Sequence, residues 1–133
     1  MVNPAVERWL HEHYEHVDAN DFAWVGEHLA DDIEVRFGNR PPAVGKAEVG
    51  ATLADVHAPF RHSKHRFVEV WQQGHRTLIA FDVSYTMNDG SEVRIETFTI
   101  LDREDGLIRR MKVYIDETPL RAGLARGEKE ESE

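Results

Sequence analysis

The second half of the sequence constrains the fold most, because it has the pattern of β-strands joined by tight turns. β-Branched and aromatic residues are dense over 67–71, 77–87, 93–101 and 108–115. Between these runs stand Gln73-Gly74, Asn88-Asp89-Gly90 and Glu104-Asp105-Gly106, and such glycine-containing segments favour hairpin turns. Strands joined by hairpins lie antiparallel to their neighbours. The pattern therefore predicts a meander of four strands.

The first half has the spacing of helices. Asn3-Pro4 is a favourable helix start, and apolar residues then recur three and four positions apart at Val6, Trp9, Leu10, Tyr14 and Val17. Two shorter helices are predicted from Phe22, Val25 and Leu29, ending before Asp31-Asp32, and from Val49, Leu53 and Val56, ending at Pro59. Residues 33–37 alternate as a strand, and 38–42 form a loop with two prolines. The order of these elements predicts one α+β domain, with a curved antiparallel sheet whose concave side is covered by the helices.

Composition limits the classes of partner. The chain has 133 residues, 41% of them hydrophobic and 31% charged, as expected for one folded domain. Its net charge of -9 disfavours nucleic acid and anionic membrane surfaces as partners. There is no cysteine, no secretory signal and no apolar run near the roughly 18 residues of a membrane span, so we expect a cytoplasmic protein. We assign residues 1–126 to the domain and 127–133 to a charged, disordered tail.

A series of short motifs occurs along the chain in a characteristic order. They are Val17–Phe22, Leu29–Ile33, Pro41–Gly45, His65, Val83–Thr86, Asp89-Gly90, Asp105-Gly106, Val113–Asp116 and Pro119-Leu120. Together they resemble the SnoaL-like branch of the nuclear transport factor 2-like superfamily, over about Val6 to Leu120. No single motif is specific, and the ordered series carries the resemblance.

The resemblance implies a conical α+β barrel, in which a curved sheet wraps around the N-terminal helices and encloses an apolar pocket. Family members include ketosteroid isomerase, limonene epoxide hydrolase, scytalone dehydratase, polyketide cyclases and non-catalytic binders, so the fold alone does not define a reaction. The resemblance further implies a small, mostly apolar ligand and no cofactor or metal. It also implies a homodimer formed through the outer face of the sheet.

Comparison with the epoxide hydrolase places two carboxylates in the candidate site. Asp82 and Asp116 fall on its two aspartate positions. The arginine position is Ala80, and the water-holding positions are Val35 and Phe37. Two nearby carboxylates without the arginine would repel, which raises one pKa. An epoxide hydrolase of the known type is therefore not expected, although Val35 and Phe37 stay candidates for the pocket lining.

Comparison with the cyclases and the isomerase selects further residues. Asp116 matches the acid/base aspartate of SnoaL-type cyclases, and an apolar cavity would raise its pKa to suit proton transfer next to a carbonyl. Tyr14 lies near the position of the tyrosine that holds the oxyanion in ketosteroid isomerase. Phe37 occupies the base position of that enzyme, and Thr97 lies near its acid position. His65 resembles a histidine common at this point of the family, and it is either a half-buried residue bonded to the backbone or a catalytic acid or base.

The strand patterns leave the orientation of the aspartates open. Residues 81–87 alternate cleanly, so Asp82 lies either on a solvated face or in the pocket, with the apolar face then covered by a partner subunit. The same choice holds for Tyr114 and Asp116 in the last strand. Trp24 is a candidate for the pocket mouth, and the alternative for it, as for Trp71, is a place in the core.

The histidine-rich segment His11–His16 does not match a zinc-protease motif, because histidines four apart are missing. Its three histidines point in different directions on a helix, so we expect a solvated helix face. We interpret the sequence as a SnoaL-like protein that binds a small, mostly apolar molecule and catalyses cofactor-independent proton transfer with Asp116 as acid/base. The alternative is a non-catalytic ligand-binding or dimerisation module of the same fold.

Overall fold

The helices and strands follow the predicted order. The computed structural model describes residues 4–122, with side chains from Glu7 onward. Its helices are α1 (Pro4–Asp18), α2 (Phe22–Glu27) and α3 (Lys46–His57), and residues 118–122 begin a further helix. Its strands are β1 (Leu29–Phe37), β2 (Ala43–Val44), β3 (Phe60–Gln73), β4 (Arg76–Met87), β5 (Glu92–Glu104) and β6 (Leu107–Tyr114). The α+β fold is confirmed, with β2 as a short strand that the sequence pattern did not predict.

The strands form one sheet in the order β2-β1-β6-β5-β4-β3. Strands β3 to β6 make the predicted antiparallel meander. Strand β1 extends it by pairing with β6 in parallel, so the sheet is not antiparallel throughout as expected. A parallel pair requires a long connection, and residues 38–106 supply it. The parallel pair brings the first strand beside the last and curves the sheet around the helices.

Two strands begin earlier than the sequence pattern indicates. Strand β1 starts at Leu29, and Asp31-Asp32 lies exposed within it rather than at the end of a helix. Leu29 pairs with Ile108 of β6, and burial of both side chains outweighs the local helical spacing. Strand β3 starts at Phe60, and its polar first half pairs with β4 across a bulge. The longer β3 therefore places His65 within this edge strand rather than at a strand entry.

Helix α1 buries one face, and His13 lies on it. The exposed fractions of Leu10, His13 and Tyr14 are 0%, 1% and 6%. The expectation of a solvated face for His13 is therefore wrong. Residues three and four positions apart share a side of a helix, which puts His13 beside Leu10 and next to Tyr14 in the core. The Trp9 ring stacks on the imidazole with 5.2 Å between ring centroids.

Strand β4 shows which face of the sheet is concave. The apolar alternating set is buried, and its members are Ile79, Phe81, Val83, Tyr85 and Met87. Asp82 lies on the opposite, outer face. The hypothesis that the polar face of this strand lines the pocket is thus corrected. The apolar faces of α1 and β4 bury each other, and this removal of apolar surface from water fixes the orientation.

The outer face of the sheet also carries an apolar area, which we call the outer patch. It consists of Trp71, Leu78, Phe98, Ile100 and Tyr114, which share a side because paired residues on adjacent strands do so. Trp71 is 45% exposed and Tyr114 is 46% exposed. The expectation that Trp71 lies in the core is therefore wrong, because its strand pairing with Leu78 points it away from the helices.

The C-terminal segment closes one side of the core. Leu120 is 1% exposed and packs in the same hydrophobic cluster as Tyr14 and Tyr85. Glu117 accepts hydrogen bonds from Arg40, with Nη2 to Oε1 at 2.9 Å, and so ties this segment to the loop after β1. The domain boundary expected at 126 and the tail expected at 127–133 lie outside the described residues. Within residues 4–122, no helix is long and apolar enough to cross a lipid bilayer.

Candidate functional site

A cavity of ≈ 80 Å³, partly open to solvent, lies between the helices and the concave face of the sheet. Its apolar lining consists of Val17, Phe22, Val25, Leu29, Val35, Phe37, Val49, Leu53, Val56, Phe60, Met111 and Val113. Its polar lining consists of His13, Tyr14, His57, His65, Tyr85, Thr97 and Thr99. Among the residues that the structure describes, no Asp, Glu, Lys or Arg belongs to this lining. The cavity is therefore mostly apolar, with hydrogen-bonding imidazole and hydroxyl groups along part of its wall.

The strongest chemical feature of the cavity is a pair formed by Asp18 and His65. His65 Nδ1 lies 2.5 Å from Asp18 Oδ1, and both side chains are largely buried, with 13% and 14% exposure. The backbone N–H of His65 donates to Asp18 Oδ2 at 3.0 Å. The Ser63 hydroxyl donates to Asp18 Oδ1 at 2.9 Å. The carboxylate thus accepts three hydrogen bonds from β3, one of them from the imidazole.

The position of Asp18 at the end of α1 and the pairing of β3 with β4 explain why the Asp18–His65 pair forms. Asp18 is the last residue of α1, where the helix delivers its side chain to the middle of β3. His65 pairs with Val83, so its side chain lies on the concave face. The imidazole packs against Tyr14 at 4.8 Å and Phe81 at 5.0 Å between ring centroids. These contacts fix the ring and leave Nε2 as the ring nitrogen that Asp18 does not engage.

Two further imidazoles line the cavity. The Nδ1 atoms of His13 and His57 are buried and have no hydrogen-bond partner among the described residues. Burial lowers the pKa of His13 to about 3 and the pKa of His57 to about 4. Both side chains are therefore neutral at pH 7. Unpaired buried polar atoms are rare in folded proteins, and here two residues that carry one line the same cavity.

The tyrosines of the cavity are also uncharged. Burial raises the pKa of Tyr14 and of Tyr85 well above the usual range, so both hydroxyls keep their protons. The Tyr14 hydroxyl is hydrogen-bonded to the Thr99 side chain. Protonated hydroxyls of this kind serve as hydrogen-bond donors to a ligand oxygen.

Five of the nine candidate site residues line the cavity, and these are Tyr14, Val35, Phe37, His65 and Thr97. Trp24 does not. Its ring is stacked between His16 and His28, with centroid distances of 3.9 Å and 4.0 Å. The pocket-mouth interpretation of Trp24 is therefore not supported by its position.

Asp82 lies on the outer face and takes part in surface ion pairs. It contacts Arg94, and Arg66 Nη2 lies 3.5 Å from its Oδ2. The hydrogen bond from Arg94 lowers the pKa of the Asp82 carboxyl. This environment is the reverse of the raised pKa expected for two aspartates that share an apolar pocket.

Asp116 and Tyr114 also lie outside the cavity lining. Asp116 follows the end of β6, is exposed, and accepts a hydrogen bond from the Thr118 backbone N–H at 3.0 Å. Hydrogen bonding to Thr118 lowers its pKa, whereas the cyclase comparison implied a raised one. Tyr114 is in the outer patch, with the Lys112 ammonium 4.8 Å from its ring centroid. The structure does not give Asp116 the apolar surroundings that an acid/base role there requires.

Sequence reasoning missed Asp18, His13 and His57. The helical spacing of His13 with Leu10 and Tyr14 was a signal for burial that could have found it. Asp18 gave no such signal, because its partner lies 47 residues further along the chain and Asp18 also suits the end of a helix. Within residues 4–122, no group of three or more His, Asp and Glu is arranged to hold a metal ion.

The fold and the cavity together define a class, the nuclear transport factor 2-like α+β proteins, whose curved sheet encloses a pocket under the helices. Within that class, the family model for the SnoaL-like domain matches residues 10–111. The chain belongs to the SnoaL-like family. A search of the curated proteins finds no significant match to this sequence.

Three solved structures show a similar fold. A protein assigned as a SnoaL-like polyketide cyclase from Shewanella putrefaciens CN-32 has a TM-score of 0.76 at 12% identity, with 93% of this chain and 88% of that chain covered. An epoxide hydrolase of M. tuberculosis, of the LEH-like type, has a TM-score of 0.66 at 18% identity, with 85% and 84% covered. TerC, co-crystallised with polyporic acid, has a TM-score of 0.73 at 19% identity, with 90% and 97% covered. At these identities the similarity concerns the fold alone.

Proposed function

We propose that the cavity binds a small, mostly apolar molecule and that the Asp18–His65 pair transfers a proton to or from it. The observation that carries this proposal is the position of His65. It lines the cavity while its Nδ1 contacts the Asp18 carboxylate at 2.5 Å. An imidazole oriented by a carboxylate is an effective general base or acid near neutral pH.

The chemistry follows from the hydrogen bonds. Because the Asp18 carboxylate accepts from Nδ1, the neutral imidazole carries its proton on Nδ1 and its lone pair on Nε2. Nε2 removes a proton from a C–H or O–H group of the ligand or, in a hydrolysis, from the water molecule that attacks it, and the carboxylate stabilises the imidazolium that forms. The imidazolium then returns the proton to another atom of the ligand or to a leaving group. These steps need no cofactor and cover isomerisation, cyclisation, dehydration and hydrolysis.

His65 is a stronger candidate for the proton carrier than Asp116. The two differ in burial, because His65 faces the apolar cavity and Asp116 is exposed beyond the end of β6. A general base must reach the proton that it removes. Among the relatives, the polyketide cyclase and the epoxide hydrolase are named for reactions that involve such proton transfers.

Deuterium exchange tests this proposal without the natural substrate. The α-protons of cyclopentanone, a neutral single-ring ketone, exchange with D2O when a base removes them, and proton NMR follows the loss of signal. We expect the wild-type protein to accelerate exchange beyond an equal concentration of imidazole. His65→Gln is expected to lower the rate by about 100-fold or more, the range typical of general base catalysis. Asp18→Asn is expected to lower it as well.

Matched controls separate the chemistry from general effects of substitution. His75→Gln makes the same change at an exposed turn, and Asp31→Asn makes it at a fully exposed carboxylate, so both are expected to keep the wild-type rate. Asp116→Asn tests the competing assignment. A large loss in Asp116→Asn with none in His65→Gln would transfer the role to Asp116 and refute the proposal.

The small cavity volume favours a second candidate function, a non-catalytic binding module of the same fold. A cavity of ≈ 80 Å³ is below the several hundred Å³ usual for ligand pockets. If the wild-type protein binds a ligand but accelerates exchange no more than free imidazole, this second function is supported and proton transfer is rejected.

We also propose that two copies associate through the outer patch, and that the protein acts in the cytoplasm. Large apolar side chains exposed together mark interaction sites more often than free surface. Trp71, Phe98 and Tyr114 form such a group at the centre of the outer face. The cytoplasmic location rests on the absence of cysteine, since the fold needs no oxidising compartment.

A further inference from the structure

We infer that the ligand of this cavity is a neutral, single-ring compound with a hydroxyl or carbonyl oxygen, held by hydrogen bonds to His13 and His57. This inference rests on the proposed function, because it names the ligand class for the same cavity. It stands on three independent observations, which concern the unpaired imidazole atoms, the charge of the lining and the volume.

The unpaired atoms define where polar atoms of a ligand bind. His13 is 1% exposed, and its Nδ1 is buried without a hydrogen-bond partner among the described residues. The Nδ1 atom of His57, on a different helix, is also buried without a hydrogen-bond partner among the described residues. A buried polar atom without a partner carries a free-energy cost. A ligand oxygen that pairs with either atom removes that cost and is therefore selected over a carbon at the same place.

Both histidines line the same cavity as His65. The Tyr14 ring separates His13 from His65, with centroid distances of 5.0 Å and 4.8 Å. His57 packs at 4.8 Å on Phe60, which in turn packs at 4.7 Å on Tyr85. A ligand that is hydrogen-bonded to His13 and His57 therefore lies in the cavity that the His65 imidazole also lines. His13 and His57 are positioning residues, and His65 is the proton carrier.

The charge of the lining excludes ionic ligands. No Lys or Arg side chain among residues 7–122 belongs to the cavity lining, and no Asp or Glu side chain does either. The Asp18 carboxylate reaches the cavity only through His65. An anionic ligand would have to leave water without meeting a cation, and would approach the Asp18 carboxylate, so its binding is disfavoured. A cationic ligand would meet no carboxylate in the lining.

The volume limits the ligand to one ring. An engineered apolar cavity that binds benzene measures roughly 150 Å³, about twice the ≈ 80 Å³ found here. A single ring therefore enters with one edge in the opening, or after small movements of flexible side chains such as Met111. A fused ring system would require a much larger rearrangement of the helices and sheet.

Binding of three one-ring probes tests the inference. Phenol, toluene and benzoate are titrated separately and followed by protein NMR shifts. A purely apolar cavity prefers toluene, because phenol must give up hydrogen bonds to water on entry. We expect the reverse order, with phenol binding about fivefold or more tighter than toluene and benzoate binding weakest. A preference for toluene over phenol, or for benzoate over both, overturns the inference.

Variants show whether the two histidines produce the preference. In the double variant His13→Leu/His57→Leu, the dissociation constant of toluene divided by that of phenol is expected to fall at least fivefold. The control variant His75→Leu, at an exposed turn, is expected to keep the wild-type ratio. The ratio is taken within one variant, so a general loss of stability or fit affects both probes alike. The combined variant His13→Gln and His57→Gln retains polar atoms and is expected to recover part of the phenol preference. An unchanged ratio in the leucine variant overturns the assignment of His13 and His57.

The outcome is separable from that of the proposed function. If no probe binds and no exchange is accelerated, the proposed function fails. If cyclopentanone exchange depends on His65 while toluene binds better than phenol, the proposed function stands and the ligand class inferred here is wrong.

Discussion

The outer and concave faces of the sheet carry different kinds of polar side chain. On the outer face, charged side chains pair with one another close to water, as Asp82 does with Arg94 and Asp102 does with Arg76 at 2.8 Å. On the concave face, the polar side chains of the cavity are histidines, tyrosines and threonines, and none of them is a carboxylate, an ammonium or a guanidinium. The Asp18 carboxylate does not line the cavity itself, and it contacts the lining residue His65.

This difference shows that charge density is a poor guide to the site in this chain. The conspicuous aspartates of the strands are solvated partners of arginines, and their pKa values are lowered by those partners. The group that we propose for proton transfer is instead His65, which lines the cavity and contacts the carboxylate of Asp18. The comparison of the two faces can be tested by exchanging their chemistry, by titrating the concave face, and by disrupting the outer patch.

The largest effect is expected from placing a charge on the wrong face of β4. Val83 is 0% exposed on the concave face, so Val83→Asp buries a carboxyl without a partner and is expected to cost about 4 kcal/mol or more. Urea unfolding monitored by circular dichroism measures the loss. Asp82→Val makes the opposite exchange at the neighbouring residue on the outer face, and we expect the urea midpoint to change little. Similar losses in both variants would contradict the face assignment.

Prediction from sequence succeeded where local patterns determine structure. The hairpin turns and the helical spacing predicted the element order, and the family resemblance placed Tyr14, Val35, Phe37, His65 and Thr97 at positions that line the cavity. These successes depend on local periodicity and on the order of motifs that the chain shares with the family.

The orientation of β4 was not predictable from its own alternation. A strand with one apolar and one polar face has the same pattern whichever face meets the helices. The choice is made by α1, whose buried face packs against Phe81 and Tyr85. The contact between Asp18 and His65 was not predictable either, because it forms only when the end of α1 meets β3.

A second effect is expected from titrating the concave face. Burial lowers the pKa of His13 from 6.5 to about 3, so between these values the unfolded chain binds more protons than the folded one. Stability from this residue is therefore complete above pH 6.5 and is lost as the pH falls toward 3. At pH 5 the loss is about 2 kcal/mol, since each pKa unit corresponds to about 1.4 kcal/mol. His57, with a pKa of about 4, acts in the same direction.

Urea unfolding at pH 7 and pH 5 measures this dependence. In His13→Leu the difference between the two pH values is expected to shrink by about 2 kcal/mol relative to the wild type, because the proton-binding group is gone. His75→Leu, at an exposed turn, is expected to keep the wild-type difference. An equal pH dependence in wild type and His13→Leu would show that His13 is not buried in the neutral form.

The smallest effect is expected at the outer patch. Phe98 lies at its centre, with ring centroids 6.2 Å from Trp71 and 6.4 Å from Tyr114. If two copies pair through this patch, Phe98→Lys places two like charges near the centre of the interface and weakens association by about tenfold or more. Sedimentation equilibrium over a range of concentrations gives the dissociation constant.

Val68→Lys is the matched control, because Val68 is 62% exposed on β3 at its bulge and does not belong to the outer patch. A wild-type monomer at high micromolar concentration, or equal weakening by Val68→Lys and Phe98→Lys, would refute the dimer. Since the cavity lies on the opposite face, neither lysine variant is expected to change the phenol preference. That result would show that the outer face mediates association and that the concave face binds the ligand.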